Sequence, residues 1–318
     1  MNPRIAVTAG DPRGIGPEII SKALADPTVG GRSDLVIVAP SGVGLDSDVE
    51  IGHWNHDSDQ ATAGRLAGLA IEKAVELAMK GEVQGIVTAP IDKAALLAGG
   101  YDFPGHTEML AELTHSKVAM MLASDRLRVV LATTHLPLAD VVGSLNENLI
   151  VETADITRRA LASWFGIDEP RIALCALNPH AGDGGRFGSE DDLILRPAAQ
   201  KAKIKGPFPA DTVFVRALRG EFDAVIAPYH DVGMTAIKVA SFGSAVNITL
   251  GLPFPRTSPD HGTAIDIAGR GIADPSSFIQ ALLLCRRIAS LAPSPDGHPS
   301  SEGRRTEDRS FAPPSPSQ

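Results

Sequence analysis

Short runs of Val, Ile and Ala alternate along the chain with longer stretches of helical periodicity. Apolar runs of four to six residues are typical of strands that are buried on both faces, as in a parallel sheet with helical crossovers. The predicted strands are 4–8, 34–39, 85–88, 128–133, 171–176, 224–227 and 245–249, and the predicted helices include 62–80, 148–165 and 190–203. The alternation predicts an α/β fold with a parallel sheet covered on both faces.

Several of these strands end in a polar turn that is marked by Gly or Pro. The turns read VTAGDPRGIGPE, VTAPIDK, ATTHLPL, ALNPHAGDGG, APYHDVG and NITLGLPFPRTS. In open α/β sheets, ligands bind outside the carboxyl ends of the strands. We therefore expect one ligand-binding cleft that is built from several strand ends.

Charge and composition exclude several classes of protein. The 29 Lys and Arg against 38 Asp and Glu leave a net charge of −9 without a basic cluster, so we expect no nucleic-acid partner. No apolar run is long enough for a membrane span, and the first residues do not read as a secretory signal, so we expect a cytoplasmic protein. Cys175 and Cys285 lie in apolar runs and are predicted to be buried, reduced thiols. Residues 292–318 are rich in Pro and Ser and are expected to be disordered.

Two glycine-rich turns are similar to nucleotide-binding loops without completing a motif. Gly14 and Gly16 are followed by Ile19 where GxGxxG needs its third glycine, and the GDGG run at 182–185 fails in the same way. A GxxxxGK[ST] loop is absent from the sequence. Each glycine is equally explained by a turn that needs positive φ. If the chain binds NAD, it does so without the common fingerprint.

Histidine is the most informative residue type in this sequence. His106, His135, His180, His230 and His261 lie in Gly- or Pro-marked loops, whereas the others read as surface groups. His135, His180 and His230 each follow a predicted strand directly. Three neutral imidazoles can hold a divalent metal and leave positions open for substrate, so these three are candidate metal ligands. The alternative is that each is a solvated loop side chain.

Candidate anion-binding residues lie in the same loops. Lys, Arg and Thr at loop positions suit a phosphate or a carboxylate, although an ordinary surface role is the alternative for each of them. The candidates are His106, Thr107, Lys238, Asn247 and Arg256, with Lys93 as a further one.

The motifs together resemble one known family. GDPRGIGPE, TAPIDK, PGHTE, ATTHLPL, NPHAGDGGRFGSE, GPFPADT, YHDVG and NITLGLPFPRTSPDHGTA occur in the order seen in the 4-hydroxythreonine-4-phosphate dehydrogenases of pyridoxal phosphate biosynthesis. The resemblance covers nearly the whole chain before the Pro/Ser-rich tail. It implies two α/β/α domains with an interdomain cleft, similar to isocitrate and isopropylmalate dehydrogenases. The first domain would comprise 1–112 plus 251–291, and the second 113–250.

The resemblance also implies site residues and cofactors. His135, His180 and His230 match the family's ligands for one divalent metal, which would be Zn, Mg or Co. The substrate-binding residues would be His106, Thr107, Lys238, Asn247 and Arg256. The implied cofactor is NAD or NADP, and family members are homodimers with shared active sites, in which His230 would come from the partner chain.

The implied activity is oxidation of 4-phosphooxy-L-threonine to 2-amino-3-oxo-4-(phosphooxy)butanoate. This product decarboxylates to 3-amino-2-oxopropyl phosphate. The metal would favour ionisation of the substrate hydroxyl, and Lys93, Asp231 and Asp266 are candidates for the group that accepts its proton.

Other activities stay open at this point. Relatives within the family oxidise 4-phospho-D-erythronate, D-threonate 4-phosphate or an aromatic cis-dihydrodiol carboxylate. Phosphate acyltransferases share the general fold but need no three-histidine metal site, and a non-catalytic metabolite-binding module is a further alternative. The stretch after the second strand is shorter than is typical of the family.

Overall fold

The structure of the chain, a computed structural model, describes residues 3–241 and 244–292. In chain order the strands are β1 Ile5–Thr8, β2 Leu35–Ser41, β3 Val49–His53, β4 Gly85–Thr88, β5 Ala119–Ala123, β6 Arg128–Leu131, β7 Ile172–Cys175, β8 Lys205–Phe208, β9 Ala224–Ala227, β10 Val246–Leu250 and β11 Arg256–Pro259. The helices are α1 Gly16–Ala25, α2 Gln60–Met79, α3 Lys93–Ala98, α4 His106–Thr114, α5 Leu138–Ser144, α6 Glu147–Phe165, α7 Arg196–Lys201, α8 Ala210–Leu218, α9 His230–Ser241 and α10 Ser276–Leu291. The predicted α/β class is confirmed.

The described residues divide into two compact units. Unit 1 comprises residues 3–117 and 246–292, and unit 2 comprises residues 118–241 and 244–245. The predicted domain limits, 1–112 plus 251–291 and 113–250, stay a prediction. The predicted disordered tail, 292–318, lies outside the described residues apart from Ala292.

The strands of unit 1 are arranged in the order β3-β2-β1-β4-β11-β10. All neighbours are parallel except β10 and β11, which are antiparallel. Thr8 at the end of β1 pairs with Thr88 at the end of β4. Thr249 near the end of β10 pairs with Arg256 at the start of β11, because the chain reverses there. Arg256 pairs with Ile86 of β4, two residues before Thr88, so its long side chain can reach polar groups on both neighbouring strands.

The strands of unit 2 follow the order β5-β6-β9-β7-β8. Here β5 and β6 are antiparallel and the other neighbours are parallel. The prediction of a purely parallel sheet is thus wrong at β5 and β10. Each belongs to a pair that is joined by a few residues, whereas a parallel pair usually needs a crossover of a dozen residues or more.

Several strands were not predicted because their sequences lack the apolar Val/Ile signature. Strand β5 reads AMMLA, β8 reads KGPF and β11 reads RTSP, although every residue of β11 is buried. Strand β3 is the exposed edge of its sheet. Propensity is a weak guide for such strands, since neighbouring strands decide their placement.

Helix α2 carries two glycines that allow close packing in unit 1. A Cβ at Gly64 would lie 1.7 Å from the Ala95 carbonyl oxygen, and one at Gly68 would lie 2.0 Å from the Tyr101 ring. Asp59 is the N-cap residue of α2, and its carboxylate accepts a hydrogen bond from the Thr62 amide at 2.8 Å. Helix α3 and the loop between α3 and α4 therefore pack closely against α2.

Both cysteines are buried and free, as predicted. Burial is the main reason why the pKa of Cys175 and that of Cys285 are each raised to about 12. Within the described ranges, no helix combines the length and the apolar character that a membrane span requires.

Candidate functional site

Arg256 is the most unusual side chain of unit 1, because it is a cation with only 2% of its surface exposed. Among the described residues it forms no ion pair with a carboxylate. Burial lowers its pKa to about 10, which still leaves the guanidinium charged at neutral pH. The charge of Glu108 acts on Arg256 in the opposite direction, but the two groups form no ion pair. Because a buried charge that is not paired costs several kcal/mol, the position of Arg256 fits an anionic ligand.

Two threonine hydroxyls hold the Arg256 guanidinium. Nη1 donates to Thr249 Oγ1 at 3.0 Å, and Nη2 donates to Thr88 Oγ1 at 2.6 Å. The Nε of Arg256 is buried and has no hydrogen-bond partner in the structure. The register of β10 and β11 places Asn247 on the same face as Thr249 and Arg256. We call Arg256, Thr88 and Thr249 the arginine clamp.

His106 begins helix α4 and lies near the arginine clamp. Its Nε2 is buried and lacks a partner in the described structure. Its pKa is lowered well below the usual value, first by burial and second by the charge of Arg256. The imidazole is therefore neutral at physiological pH and can hydrogen-bond a ligand without adding charge. Thr107 follows on the same helix and is half-buried.

Lys93 lies close to this helix start. A Cβ built at Gly105 would be 3.6 Å from Lys93 Cε, so the lysine stem runs past the residue that precedes His106. Lys93 is exposed and is the first residue of α3, whose N-cap is Asp92. Unit 1 thus gathers Lys93, His106, Thr107, Asn247 and Arg256, all of which were predicted from the sequence.

The first glycine-rich turn of unit 1 is filled by the protein's own atoms. A Cβ at Gly14 would lie 2.8 Å from the Thr263 carbonyl oxygen, and one at Gly16 would lie 2.1 Å from that of Ala9. Ile15 N donates to Thr263 O at 2.9 Å. These close approaches explain why glycine stands at both positions. Asp266 is exposed on the helical turn Ile265–Ile267 that follows Thr263.

Unit 2 brings two of the predicted metal ligands together. The ring centroids of His135 and His230 are 5.7 Å apart. His230 Nδ1 lies 2.7 Å from the Asp231 carboxylate. If Nδ1 carries the proton in this contact, Nε2 keeps its lone pair, which is the tautomer that a metal-binding histidine needs. The contact allows Asp231 to orient the His230 ring, and the prediction that Asp231 is a proton acceptor stays a prediction.

His180 lies in a left-handed segment that follows β7. The φ angles of His180, Ala181 and Asp183 are 55°, 54° and 44°, and those of the intervening and following glycines are positive as well. Non-glycine residues avoid this region, at a cost of about 1–2 kcal/mol each. His180 is exposed, and its ring lies 6.1 Å from that of Phe187.

Within residues 3–241 and 244–292 of a single chain, no group of three or more His, Cys, Asp or Glu is close enough to hold a metal ion. The structure therefore pairs His135 with His230 and does not assemble the three predicted histidines into one cluster. Lys238 is exposed on α9, in unit 2, whereas the other predicted substrate-binding residues belong to unit 1.

Several site residues were missed by sequence reasoning. Thr88 and Thr249 complete the arginine clamp, and Asp191 holds the backbone before His180. Thr88 and Thr249 lie in the TAPIDK and NITLG blocks at strand ends, which was an available signal. Asp191 gives no such signal, because GSEDD reads as an ordinary acidic surface segment.

Comparison with known proteins identifies the family. The profile of the family described as "Pyridoxal phosphate biosynthetic protein PdxA" matches residues 33–285. A 4-hydroxythreonine-4-phosphate dehydrogenase of Desulforapulum autotrophicum is 43% identical over 91% of this chain and 96% of its own length. A D-threonate 4-phosphate dehydrogenase of Pectobacterium atrosepticum is 40% identical over 91% of this chain and all of its own length.

A solved structure agrees with these sequence relatives. The crystal structure of 4-hydroxythreonine-4-phosphate dehydrogenase from Klebsiella pneumoniae superimposes with a TM-score of 0.81 at 39% identity, and the match covers 90% of this chain and 99% of that one. The resemblance that rested on short motifs therefore extends over both sequence and fold. The chain belongs to the pyridoxal phosphate biosynthetic protein PdxA family.

Proposed function

We propose that this chain catalyses the NAD(P)-linked oxidation of 4-phosphooxy-L-threonine to 2-amino-3-oxo-4-(phosphooxy)butanoate, in the cytoplasm. The observation that carries the proposal is the arginine clamp: a buried guanidinium that is held by neutral hydroxyls and forms no ion pair with a carboxylate of the described residues. Such a group fits an anionic substrate, and relatives at 40–43% identity carry the corresponding dehydrogenase name.

On the anion side, the side chains of unit 1 bind and orient the substrate. Arg256 supplies a fixed charge with a free N–H at Nε, and His106 supplies a neutral ring with a buried Nε2. Thr107, Asn247 and the Lys93 ammonium add hydrogen-bonding groups from the same unit. Holding the phosphate and carboxylate ends in place fixes the carbon that bears the secondary hydroxyl. Lys238 of unit 2 is proposed to contribute a further cation.

The arginine clamp leads to a testable prediction. Thr88→Val or Thr249→Val removes one hydroxyl while keeping the shape of the side chain, so Arg256 loses one of the contacts that orient it. We expect KM for the phosphorylated substrate to rise about 10-fold with a smaller change in kcat, since a hydrogen bond to a charged group contributes about 1.5–3 kcal/mol. Thr88→Ser should restore most of the affinity. Steady-state kinetics measure both effects.

Thr257→Val is the matched control for this prediction. Thr257 is also fully buried on β11, but its Oγ1 donates to the Ala281 carbonyl at 2.8 Å and does not contact Arg256. It should lose stability without an increase in KM. Equal KM values in Thr88→Val and Thr257→Val would contradict the role of the clamp.

On the metal side, His135, His180 and His230 are the proposed ligands. Imidazole nitrogens suit Zn²⁺ and Co²⁺ and are also used by other divalent ions, and the Asp231 contact with His230 is the outer hydrogen bond that metal-binding histidines usually make. When bound, the metal would act as a Lewis acid that lowers the pKa of the substrate hydroxyl. We further propose a homodimer with shared active sites, in which each site takes its His230 from the second copy of the chain and not from the His135–His230 pair seen within one chain, where the ring centroids are 5.7 Å apart.

Oxidation requires a hydride acceptor and a proton acceptor. The proposed hydride acceptor is NAD or NADP. Gly14 and Gly16 are explained by close approaches within the chain, so neither is assigned to the cofactor. Lys93, Asp231 and Asp266 stay candidates for the proton acceptor. The oxidised product is a β-keto acid, which loses carbon dioxide to give 3-amino-2-oxopropyl phosphate.

A substrate comparison tests the proposed function. The chelator-treated protein should form NADH or NADPH from 4-phosphooxy-L-threonine only after Zn²⁺, Mg²⁺ or Co²⁺ is added back. D-threonate 4-phosphate is the second candidate, because the Pectobacterium relative carries that name; it has a hydroxyl where the first substrate has an amino group. A higher kcat/KM with D-threonate 4-phosphate would move the proposal to that substrate. A lack of turnover with both would contradict it.

A further inference from the structure

Asp191 is a buried carboxylate that has no part in the chemistry described so far. Its side chain is fully buried. Oδ1 accepts a hydrogen bond from the Leu177 amide at 2.9 Å, and Oδ2 accepts one from the Asn178 amide, also at 2.9 Å. Leu177 and Asn178 are the residues between the end of β7 and the segment that carries His180. The carboxylate is therefore hydrogen-bonded to the backbone just before His180, a proposed metal ligand.

The same side chain also lies beneath the left-handed segment. A Cβ built at Gly182 would be 3.8 Å from Asp191 Cβ and 3.9 Å from its Oδ2. Gly182 is buried and has a φ of 82°. Asp191 is thus hydrogen-bonded to the chain before His180, and it lies next to the space that a side chain at Gly182 would occupy.

A hydrogen bond between Asn178 and Glu190 further stabilises the left-handed segment. Asn178 Nδ2 donates to Glu190 Oε2 at 2.8 Å, so two consecutive acidic residues both hold the chain before His180. A Cβ at Gly188 would lie 2.6 Å from that Glu190 oxygen, so Gly188 leaves the space for this contact. Glu190 is only half-buried, and removing its side chain should disturb the unit less than removing the carboxylate of Asp191.

The backbone of the segment needs such support. His180, Ala181 and Asp183 all have positive φ, and conformations of this kind persist only where the surroundings over-determine them. Most of the hydrogen bonds inside the segment are short-range turns, such as Ala181 N to Asn178 O at 3.1 Å and Gly185 N to Gly182 O at 2.9 Å. Turns of this length can relax to other geometries. The contacts from Asp191 come from outside the segment and tie it to the start of the next helical stretch.

We propose that Asp191 is a positioning residue, which holds the left-handed segment so that His180 is presented for metal binding. The inference rests on the proposed function, since it assumes that His180 is a metal ligand. Asp191 itself does not touch substrate, cofactor or metal in this proposal. Residues of this kind behind a metal ligand typically change metal affinity by about 10- to 100-fold when they are replaced.

The test compares Asp191→Asn with Asp223→Asn in the full-length protein. Asp223 is the matched control, because it is a buried carboxylate of unit 2 that also accepts from a backbone amide beside β7, that of Arg171 at 2.7 Å. That amide lies before β7, whereas His180 follows it. Affinity for Co²⁺ alone is measured by titration, and the visible absorption of bound Co²⁺ reports its coordination.

Asp191→Asn should weaken Co²⁺ binding by about 10- to 100-fold and alter the Co²⁺ spectrum, whereas Asp223→Asn should lose stability only. Amide hydrogen exchange of the metal-free protein should become faster around residues 177–188 in the first variant. If Asp191→Asn does not fold, Glu190→Ala is the second variant, with an expected loss of about 2- to 10-fold.

His180→Ala separates the two hypotheses. If it abolishes Co²⁺ binding while Asp191→Asn binds as tightly as Asp223→Asn, the positioning role is overturned and the metal site stands. If His180→Ala binds Co²⁺ as tightly as the unmodified protein, the metal site is overturned and the positioning role falls with it.

Discussion

His180→Ala is expected to reduce metal-dependent NAD(P)H formation by at least about 1,000-fold, which corresponds to roughly 4 kcal/mol of transition-state stabilisation. The reason is that His180 is one of three proposed imidazole ligands, and its exposed ring lies on a segment in which His180, Ala181 and Asp183 have positive φ. The protein should stay folded, because alanine at this position removes no buried contact. Steady-state rates with and without added metal measure the effect.

His53→Ala is the control for a histidine replacement. His53 is exposed at the end of β3, and its ring contacts the Ser41 hydroxyl, far in sequence from the proposed ligands. Its rate should be within about twofold of that of the unmodified protein, as for most surface substitutions. If His180→Ala and His53→Ala have similar rates, the three-histidine site is wrong.

The same variants test whether His230 is supplied by a second chain. Inactive His180→Ala and inactive His230→Ala chains are unfolded together and refolded as a mixture. If each site takes His180 from one chain and His230 from the other, mixed dimers contain one intact site, and about a quarter of the full activity should return. If all ligands come from one chain, the mixture stays inactive. The second result would contradict the shared site but not the metal ligands.

Arg256→Lys is expected to lower kcat/KM for the phosphorylated substrate by about 100- to 1,000-fold. Lysine keeps the positive charge but cannot reach Thr88 and Thr249 at once and still offer an N–H to the ligand, since it lacks the planar fork of arginine. Two lost charge-assisted hydrogen bonds correspond to about 3–4 kcal/mol. Most of the loss should appear in KM, and inhibition by inorganic phosphate should weaken in parallel.

Arg128→Lys is the matched control. Arg128 is the other buried arginine at a strand start: it is 5% exposed at the beginning of β6, and its Nη1 donates to the Asp223 carbonyl at 3.1 Å. It belongs to unit 2 and has no proposed substrate contact. Both variants should unfold at lower denaturant concentrations, but only Arg256→Lys should lose substrate affinity. An equal loss of substrate affinity in the two variants would mean that general destabilisation, and not the lost clamp contacts, causes the effect.

Much of the fold could be predicted because the central strands have distinctive sequences. Strands β1, β4 and β9 read IAVT, GIVT and AVIA and are completely buried, which is what continuous apolar runs between helices predict. Strand β10 was predicted as a strand and β5 was not, and the antiparallel direction of neither could be predicted in this way. Strand direction depends on how short a connection is and on which neighbours are already paired, and neither is a property of local sequence.

Much of the candidate site could also be predicted, but only as a set of residue types. His106, Asn247 and Arg256 stood out because polar groups follow strands in Gly- and Pro-marked turns. The neutral state of His106 could not be read from PGHTE, because it results from burial and from the charge of Arg256, which is distant in sequence. The contact between Asp231 and His230 likewise could not be read from the residue types alone.

The amino-acid sequence by itself determined the α/β class and the family, and it named the candidate side chains for binding an anion or a metal. These depend on composition, periodicity and motif order, all of which are local or ordered along the chain. The tertiary structure decided that Arg256 is buried between Thr88 and Thr249, and that Asp191 accepts hydrogen bonds from the backbone that leads to His180. Thr88 and Arg256 are 168 positions apart in the sequence, and they become neighbours only when the sheet forms.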